Sequence, residues 1–254
     1  MGGKEQYIYA CIDGSKFSRY VFEYGVDLSK NLNLPLKLLN FIENDKLEKI
    51  ASNKELLNEF ERIAKNRKIE NVTTIQTKGT LQEGLLDIQE SIRVAIIGLK
   101  GLSNERKNTI GSQVEKIIKD VAAPILLVNG NYRPISKVLI AYDGSTSSQK
   151  ALDMLISAPI FQDIQRDIVS VNNEAILNEA KKKLANSNID ANFIYLEGEP
   201  VSAILTHQKV CNIDLISMGA FGHGVLHHII YGSVTHHMLL EACVPLLLVR
   251  QQNT

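Results

Sequence analysis

An α/β fold made of two repeated domains is predicted by three observations. Apolar strand-like runs alternate with helix-like stretches along the 254 residues. Several of those runs, such as VAIIG and PILLV, are apolar without polar alternation, as expected for a parallel sheet covered on both faces. The pattern also occurs twice: Gly98, Gly101 and Gly111-Ser112 share their internal spacing with Gly219, Gly222 and Gly232-Ser233, and YIYACIDGS is mirrored by KVLIAYDGS.

Length and composition fit this reading. A 254-residue chain accommodates one large domain or two ordinary ones, and the repeat decides for two, residues 1–130 and 135–254. With 44% hydrophobic and 22% charged residues the chain is expected to be globular, and no apolar run reaches the roughly 20 residues of a membrane span. The start lacks a signal peptide's features, so a cytoplasmic protein is expected. Net charge is zero; splitting at Arg133 leaves +3 and −3, neither of which suggests a nucleic-acid surface. Cys11, Cys211 and Cys243 have no paired spacing and are expected to be reduced and mostly buried.

Taken in order, Tyr7–Asp13 reads as a strand ending in the turn Asp13-Gly14-Ser15, and helical spacing runs to about Leu32. Residues 36–42 form the second strand, Asp45 to Asn66 a charged helix, VTTIQTK the third strand, and Leu81 to Glu90 a helix. VAIIG is the fourth strand, Ser112 to Val121 a helix, and residues 124–128 the fifth strand. Asn129–Ile135 carries turn residues and little else. The second copy repeats the order: a strand to Asp143-Gly144-Ser145, a helix from Thr146, the strand DIVSVN, a helix from Glu174, the strand in ANFIYL, a helix opened by Pro200, the strand in IDLISMG, a helix from Ser233 and a last strand in VPLLLVR. The copies are offset by 130 at the Asp-Gly-Ser turn and by 121 at the glycine loop. The nine missing residues fall most simply in the second strand and its helix.

A strand that ends in a glycine loop and re-enters a helix through Gly-Ser suits an anion, because bare amide N–H groups and the helix dipole converge there. In doubly wound sheets a ligand sits beyond the carboxyl ends of the strands, where the strand order reverses. An acidic turn on one side and an anion nest on the other is the division of labour a nucleotide needs. Asp143 with Gly219–Ser233 makes one such set, and Asp13 with Gly98–Ser112 another.

The Asp-Gly-Ser turn, the sequence Gly, two residues, Gly, nine residues, Gly-Ser, and the Pro-containing last strand resemble the universal stress protein family in tandem form. The resemblance covers nearly the whole chain. It implies, in each half, a five-stranded parallel sheet with helices on both faces, Rossmann-like and close to the adenine nucleotide alpha hydrolase type. It further implies binding of ATP or another adenine nucleotide, with Mg²⁺ beside the phosphates as an option. Carried onto this chain, Asp143 meets the adenine, Val171 packs on it, Met218 and Gly219 line the ribose side, and Gly222, Gly232, Ser233 and Val234 hold phosphates. The first half offers Asp13, Gly98, Gly101, Gly111 and Ser112 as a weaker site. There Phe41 stands where the second half has Val171, and Gln113 where it has Val234. A phenylalanine at that place fills adenine space, so the second half is the expected site. The family's single domains pair through the last strand, which implies an intramolecular pseudo-dimer here.

Plainer readings compete. Ser112 with Glu115 is a capping box, which explains Gly-Ser at a helix start without a ligand and brings negative charge to the phosphate end. All six histidines lie in the second half, and His223 with His227 has a metal-compatible spacing, but the loop holds no Cys or carboxylate to complete a set, so no metal site is expected. There is no GxxxxGK[ST] loop, GxGxxG fingerprint or GxSxG elbow, and no placed general base. No catalytic residue is assigned, and any ATP turnover is expected to be slow. Lys181–Lys183 reads as a solvated helix face. The expected role is a stress-response regulator that binds an adenine nucleotide; the alternative is a nucleotide-free scaffold acting through protein partners.

Overall fold

The computed structural model describes residues 5–43, 47–99, 112–157, 164–185, 187, 189–220 and 233–250. The chain divides into two compact units, Met1–Tyr132 and Arg133–Thr254.

The first unit runs β1 (Tyr7–Cys11), α1 (Ser18–Leu32), β2 (Leu36–Ile42), α2 (Leu47–Asn66), β3 (Val72–Lys78), α3 (Leu81–Ile88) with a short 3₁₀ turn at Gln89–Ser91, β4 (Ile92–Gly98), α4 (Ser112–Asp120) and β5 (Ile125–Val128). Its strands are ordered β3-β2-β1-β4-β5, and every neighbouring pair is parallel. The second unit runs β6 (Lys137–Ala141), α5 (Thr146–Ser157), β7 (Gln165–Val171), α6 (Glu174–Leu184), β8 (Asn192–Leu196), α7 (Pro200–Val210), β9 (Leu215–Gly219), α8 (Ser233–Glu241) and β10 (Leu246–Val249). Its order, β8-β7-β6-β9-β10, is the same topology, again all parallel.

The uniformly apolar runs become the central strands because both faces are covered: Ile8, Ala10, Leu36, Leu38 and Ile96 are fully buried in one unit, and Val138, Leu139, Ile216 and Leu246 in the other. Helix α1 lies close on its sheet because Gly25 has no side chain; a Cβ there would stand 3.1 Å from Ala10 Cβ and from Leu36 Cδ1. Asn33, in the left-handed conformation at φ 51°, ends that helix and its N–H returns to Ser29 and Lys30 carbonyls. Edge strand β3 buries only Val72 fully, in keeping with its polar sequence VTTIQTK.

Strand register equates the two copies. Cys11 pairs with Leu39 as Ala141 pairs with Val169, and Ala10 pairs with Ile96 as Ile140 pairs with Ser217. Gly98 and Gly219 therefore occupy one structural position, and Phe41 and Val171 another. The shortening lies in the helix and spares the strand: β2 and β7 both have seven residues, whereas α2 has 20 and α6 has 11.

Two expectations change. The segment after β5 is more than a spacer, because Tyr132 donates a hydrogen bond to Asp27 of α1 and its ring meets Tyr24 edge-on at 5.0 Å. The cysteines are all free, but only Cys11 is buried; Cys211 is half-buried and Cys243 exposed. Lys181–Lys183 are exposed as expected, with Lys183 paired to Asp153 at 2.6 Å. Among the described residues no helix is long and apolar enough to cross a membrane.

Candidate functional site

Strand order reverses on either side of β1 and of β6, so the carboxyl ends of β1 and β4, and of β6 and β9, flank the crevice of each unit. In the second unit β6 is followed by Asp143, Gly144 and Ser145. Gly144 adopts φ 78°, and the Ser145 N–H donates to Asp143 Oδ1 at 3.0 Å, closing an Asx turn. Ser145 Oγ accepts from Ser148 N–H at 3.2 Å, while Ser148 Oγ donates back to the Ser145 carbonyl at 3.0 Å. The turn is thus held by its own serines, and Asp143 stands exposed at the edge.

Val171 is the last residue of β7 and lies half-buried beside it. The next residue, Asn172, clips the crossing loop: its side-chain amide donates to Gly198 O at 2.7 Å and its Oδ1 accepts from Gly198 N–H at 2.9 Å. Met218 is buried and Gly219 ends β9. The room beside the Gly219 α-carbon is filled by the first turn of α5, since a Cβ would come within 2.6 Å of Ser148 N and of Ser147 Oγ. Gly219 is accordingly a packing requirement in its own right.

Strand order β7-β6-β9 brings Val171, Asp143 and Gly219 to the same end of three adjacent strands. Val234 is half-buried in the first turn of α8, a turn that carries no acidic residue, ends in His236 and is followed at once by His237. Gly222, Gly232, His223, His227 and His228 lie outside the described residues, as does the Ser233 side chain. The same holds in the first unit for Gly101, Gly111 and the Ser112 side chain, and so for the capping box suggested with Glu115.

The first unit repeats the turn with different chemistry. Asp13 is half-buried, and its Oδ1 accepts from both Ser15 N–H and Ser18 Oγ at 2.9 Å. Phe41, at the position of Val171, lies over α3 at Gly84, where a Cβ would be 2.0 Å from the ring. Gln113 donates to Glu43, an acid at the position where the second unit has Asn173, the N-cap of α6. Glu115 stands in the first turn of α4 at the place of His236. The Glu115-to-His236 exchange is legible in the aligned copies; the Asn172–Gly198 clip and the Gln113–Glu43 pair needed the fold.

Comparison with known proteins agrees with this architecture. The model of the universal stress protein family matches residues 6–129 and 157–250. Universal stress protein Slr1230 of Synechocystis is 28% identical over 96% of this chain and 99% of its own. The crystal structure of a universal stress protein from Archaeoglobus fulgidus covers 98% of this chain and 100% of its own at 20% identity, with a TM-score of 0.78. A universal stress protein solved in complex with cAMP covers 47% of this chain and 100% of its own at 23% identity, with a TM-score of 0.41; that ligand is a property of that protein. Two successive matches spanning most of the sequence, on two copies of one topology, lead to one conclusion: the chain is a tandem member of the universal stress protein family.

Proposed function

We propose that the second unit binds ATP or a related adenine nucleotide and that the protein acts as a nucleotide-responsive regulator in the stress response, in the cytoplasm. The observation that carries this reading is the joint position of Asp143, Val171 and Gly219 at adjacent strand ends, in a unit whose helix α8 has a first turn free of acid. Asp143 accepts hydrogen bonds from the adenine edge and Val171 packs on the ring. Met218 and Gly219 border the ribose, while backbone N–H groups around Gly222 and Gly232, with Ser233 and Val234 at the helix start, hold the phosphates. Mg²⁺, if present, neutralises the phosphate oxygens. The first unit is proposed to be empty, because Phe41 takes ring space and Glu43 and Glu115 repel phosphate.

The test is mass spectrometry of nucleotide released from purified protein, with calorimetric ATP titration of wild type, Gly222→Val and Gly101→Val. One nucleotide per chain is expected, lost in Gly222→Val and kept in Gly101→Val. Absence of binding by wild type would overturn the reading in favour of a scaffold acting through protein partners. Loss in Gly101→Val alone would move the site to the first unit.

A further inference from the structure

A second polar cluster lies at the opposite, amino-terminal end of the second sheet. Asp167, on β7, is only 2% exposed, and three groups converge on its carboxylate. Asn192 Nδ2 donates to Oδ1 at 2.9 Å; Lys137 Nζ stands 3.4 Å from Oδ2; His207 Nε2 stands 2.9 Å from the same oxygen. Burial pushes the Asp167 carboxyl up, but the bonds from Asn192 and His207 and the Lys137 ammonium more than offset this and hold it below the ordinary carboxylate range. An ionised Asp167 accepts, so His207 carries its proton on Nε2 and leaves the Nδ1 lone pair on the other side of the ring.

That lone pair meets a thiol. His207 and Cys211 are four residues apart at the end of α7 and so share one helix face, which brings Cys211 Sγ to 3.8 Å from His207 Nδ1. Carboxylate, imidazole and thiol form one file. The three residues also have ligand atoms within 4.8 Å of one another, the spacing of an incomplete metal set. A relay fits better than a metal, because both Asp167 oxygens are already engaged and each imidazole nitrogen already faces a partner.

We propose that Cys211 is a modification site, a half-buried thiol that reacts with low-molecular-weight disulfides by passing its proton to His207, with Asp167 as the positioning residue. The Cys211 S–H bond breaks and its proton goes to His207 Nδ1. The thiolate attacks one sulfur of the disulfide RSSR, a new S–S bond forms, and the RSSR bond breaks. The departing RS⁻ takes the proton from His207 and leaves as RSH. The products are a mixed disulfide at Cys211 and one thiol, and His207 is restored.

The experiment treats the full chain with oxidised glutathione and follows each cysteine by peptide mass mapping. Cys243, the exposed thiol, is the reference for simple accessibility, and buried Cys11 reports any loss of fold. Cys211 is expected to react first. His207→Ala should slow it by about tenfold or more while Cys243 keeps its rate and Cys11 stays unmodified. Free imidazole should restore part of the lost rate, which a purely structural role for His207 does not predict. Asp167→Asn should slow Cys211 in the same direction by releasing the imidazole tautomer. Reaction at Cys243 before Cys211 in wild type would overturn the proposal without any variant. An unchanged Cys211 rate in a folded His207→Ala would also overturn it, and protection of Cys211 by one equivalent of Zn²⁺ would replace the relay by a metal site.

Discussion

The two units share topology, register and the Asp-Gly-Ser turn, yet they treat the carboxylate of that turn differently. Each aspartate accepts from the serine N–H two residues on, but Asp13 is drawn further into its turn by the Ser18 hydroxyl, whereas Ser148, the counterpart of Ser18, gives its hydroxyl to the Ser145 carbonyl and Asp143 is exposed. The same contrast runs along the edge: Phe41 against Val171, Glu43 against Asn173, Glu115 against His236. A duplicated fold can thus keep its backbone while side-chain exchanges at a few positions change the charge and bulk along one edge, with Glu43 and Glu115 in one unit and Asn173 and His236 in the other.

The largest expected effect tests the packing half of this comparison. Gly219→Ala places a methyl 2.6 Å from the backbone nitrogen of Ser148, which cannot yield, and should cost about 3 kcal/mol by urea denaturation. Gly84→Ala in the first unit meets the Phe41 ring instead, a half-buried side chain able to swing away, and should cost about 1 to 2 kcal/mol. Equal costs would remove the distinction.

Function can be exchanged between the carboxylates. Asp143→Ala should weaken ATP binding about tenfold with little change in stability, while Asp13→Ala should leave binding intact and destabilise by about 1.5 kcal/mol, the worth of a hydrogen bond to a charged group. Calorimetry and thermal unfolding on both variants separate the two. The combined variant Phe41→Val, Glu43→Asn and Glu115→His should bring a second equivalent of nucleotide to the chain by removing steric and like-charge opposition worth about 1 to 2 kcal/mol. A stoichiometry that stays at one would show that other residues close the first unit.

At the opposite end the units also diverge. Asp167 is matched in register by Lys37, whose ammonium lies 3.6 Å from the centre of the Tyr7 ring. Because the folded pKa of Asp167 is depressed, its contribution is present above the ordinary carboxylate value and is lost as pH falls through the lower folded value. Thermal unfolding across that acid range should show a steeper loss for wild type than for Asp167→Asn. Lys37→Met, which removes the cation from the ring, should cost only about 0.5 to 1 kcal/mol and add no acid dependence.

Much of this was legible in the sequence, for identifiable reasons. A strand covered by its neighbours reads as a nearly unbroken apolar run, so LKLLNFI is bounded at its observed ends, while the polar edge strand VTTIQTK is legible through its β-branched Val and Thr residues. Helix starts are less sharp: the helical spacing reads from about Ser15, but α1 begins at Ser18 because the Asp13 turn consumes Ser15. The sequence alone divides the nine missing residues between strand and helix, because periodicity cannot tell a short helix from a loop, and register assigns them to α6. The members of the Asp167, His207, Cys211 file come from different elements, joined only when β7 and α7 pack, and a one-dimensional spacing search has no access to that. Lys137 and Asn192 reach the same carboxylate from neighbouring strands for the same reason.

The close approach of α5 to Gly219 has a consequence for reading such duplications. A glycine that is indispensable for packing persists in a copy whether or not that copy still serves a ligand, so its survival keeps no record of what the copy once held. The history of a repeat is better written in positions whose side chains differ between the copies, and in this chain those include the residues at 41, 43 and 115 and their counterparts at 171, 173 and 236.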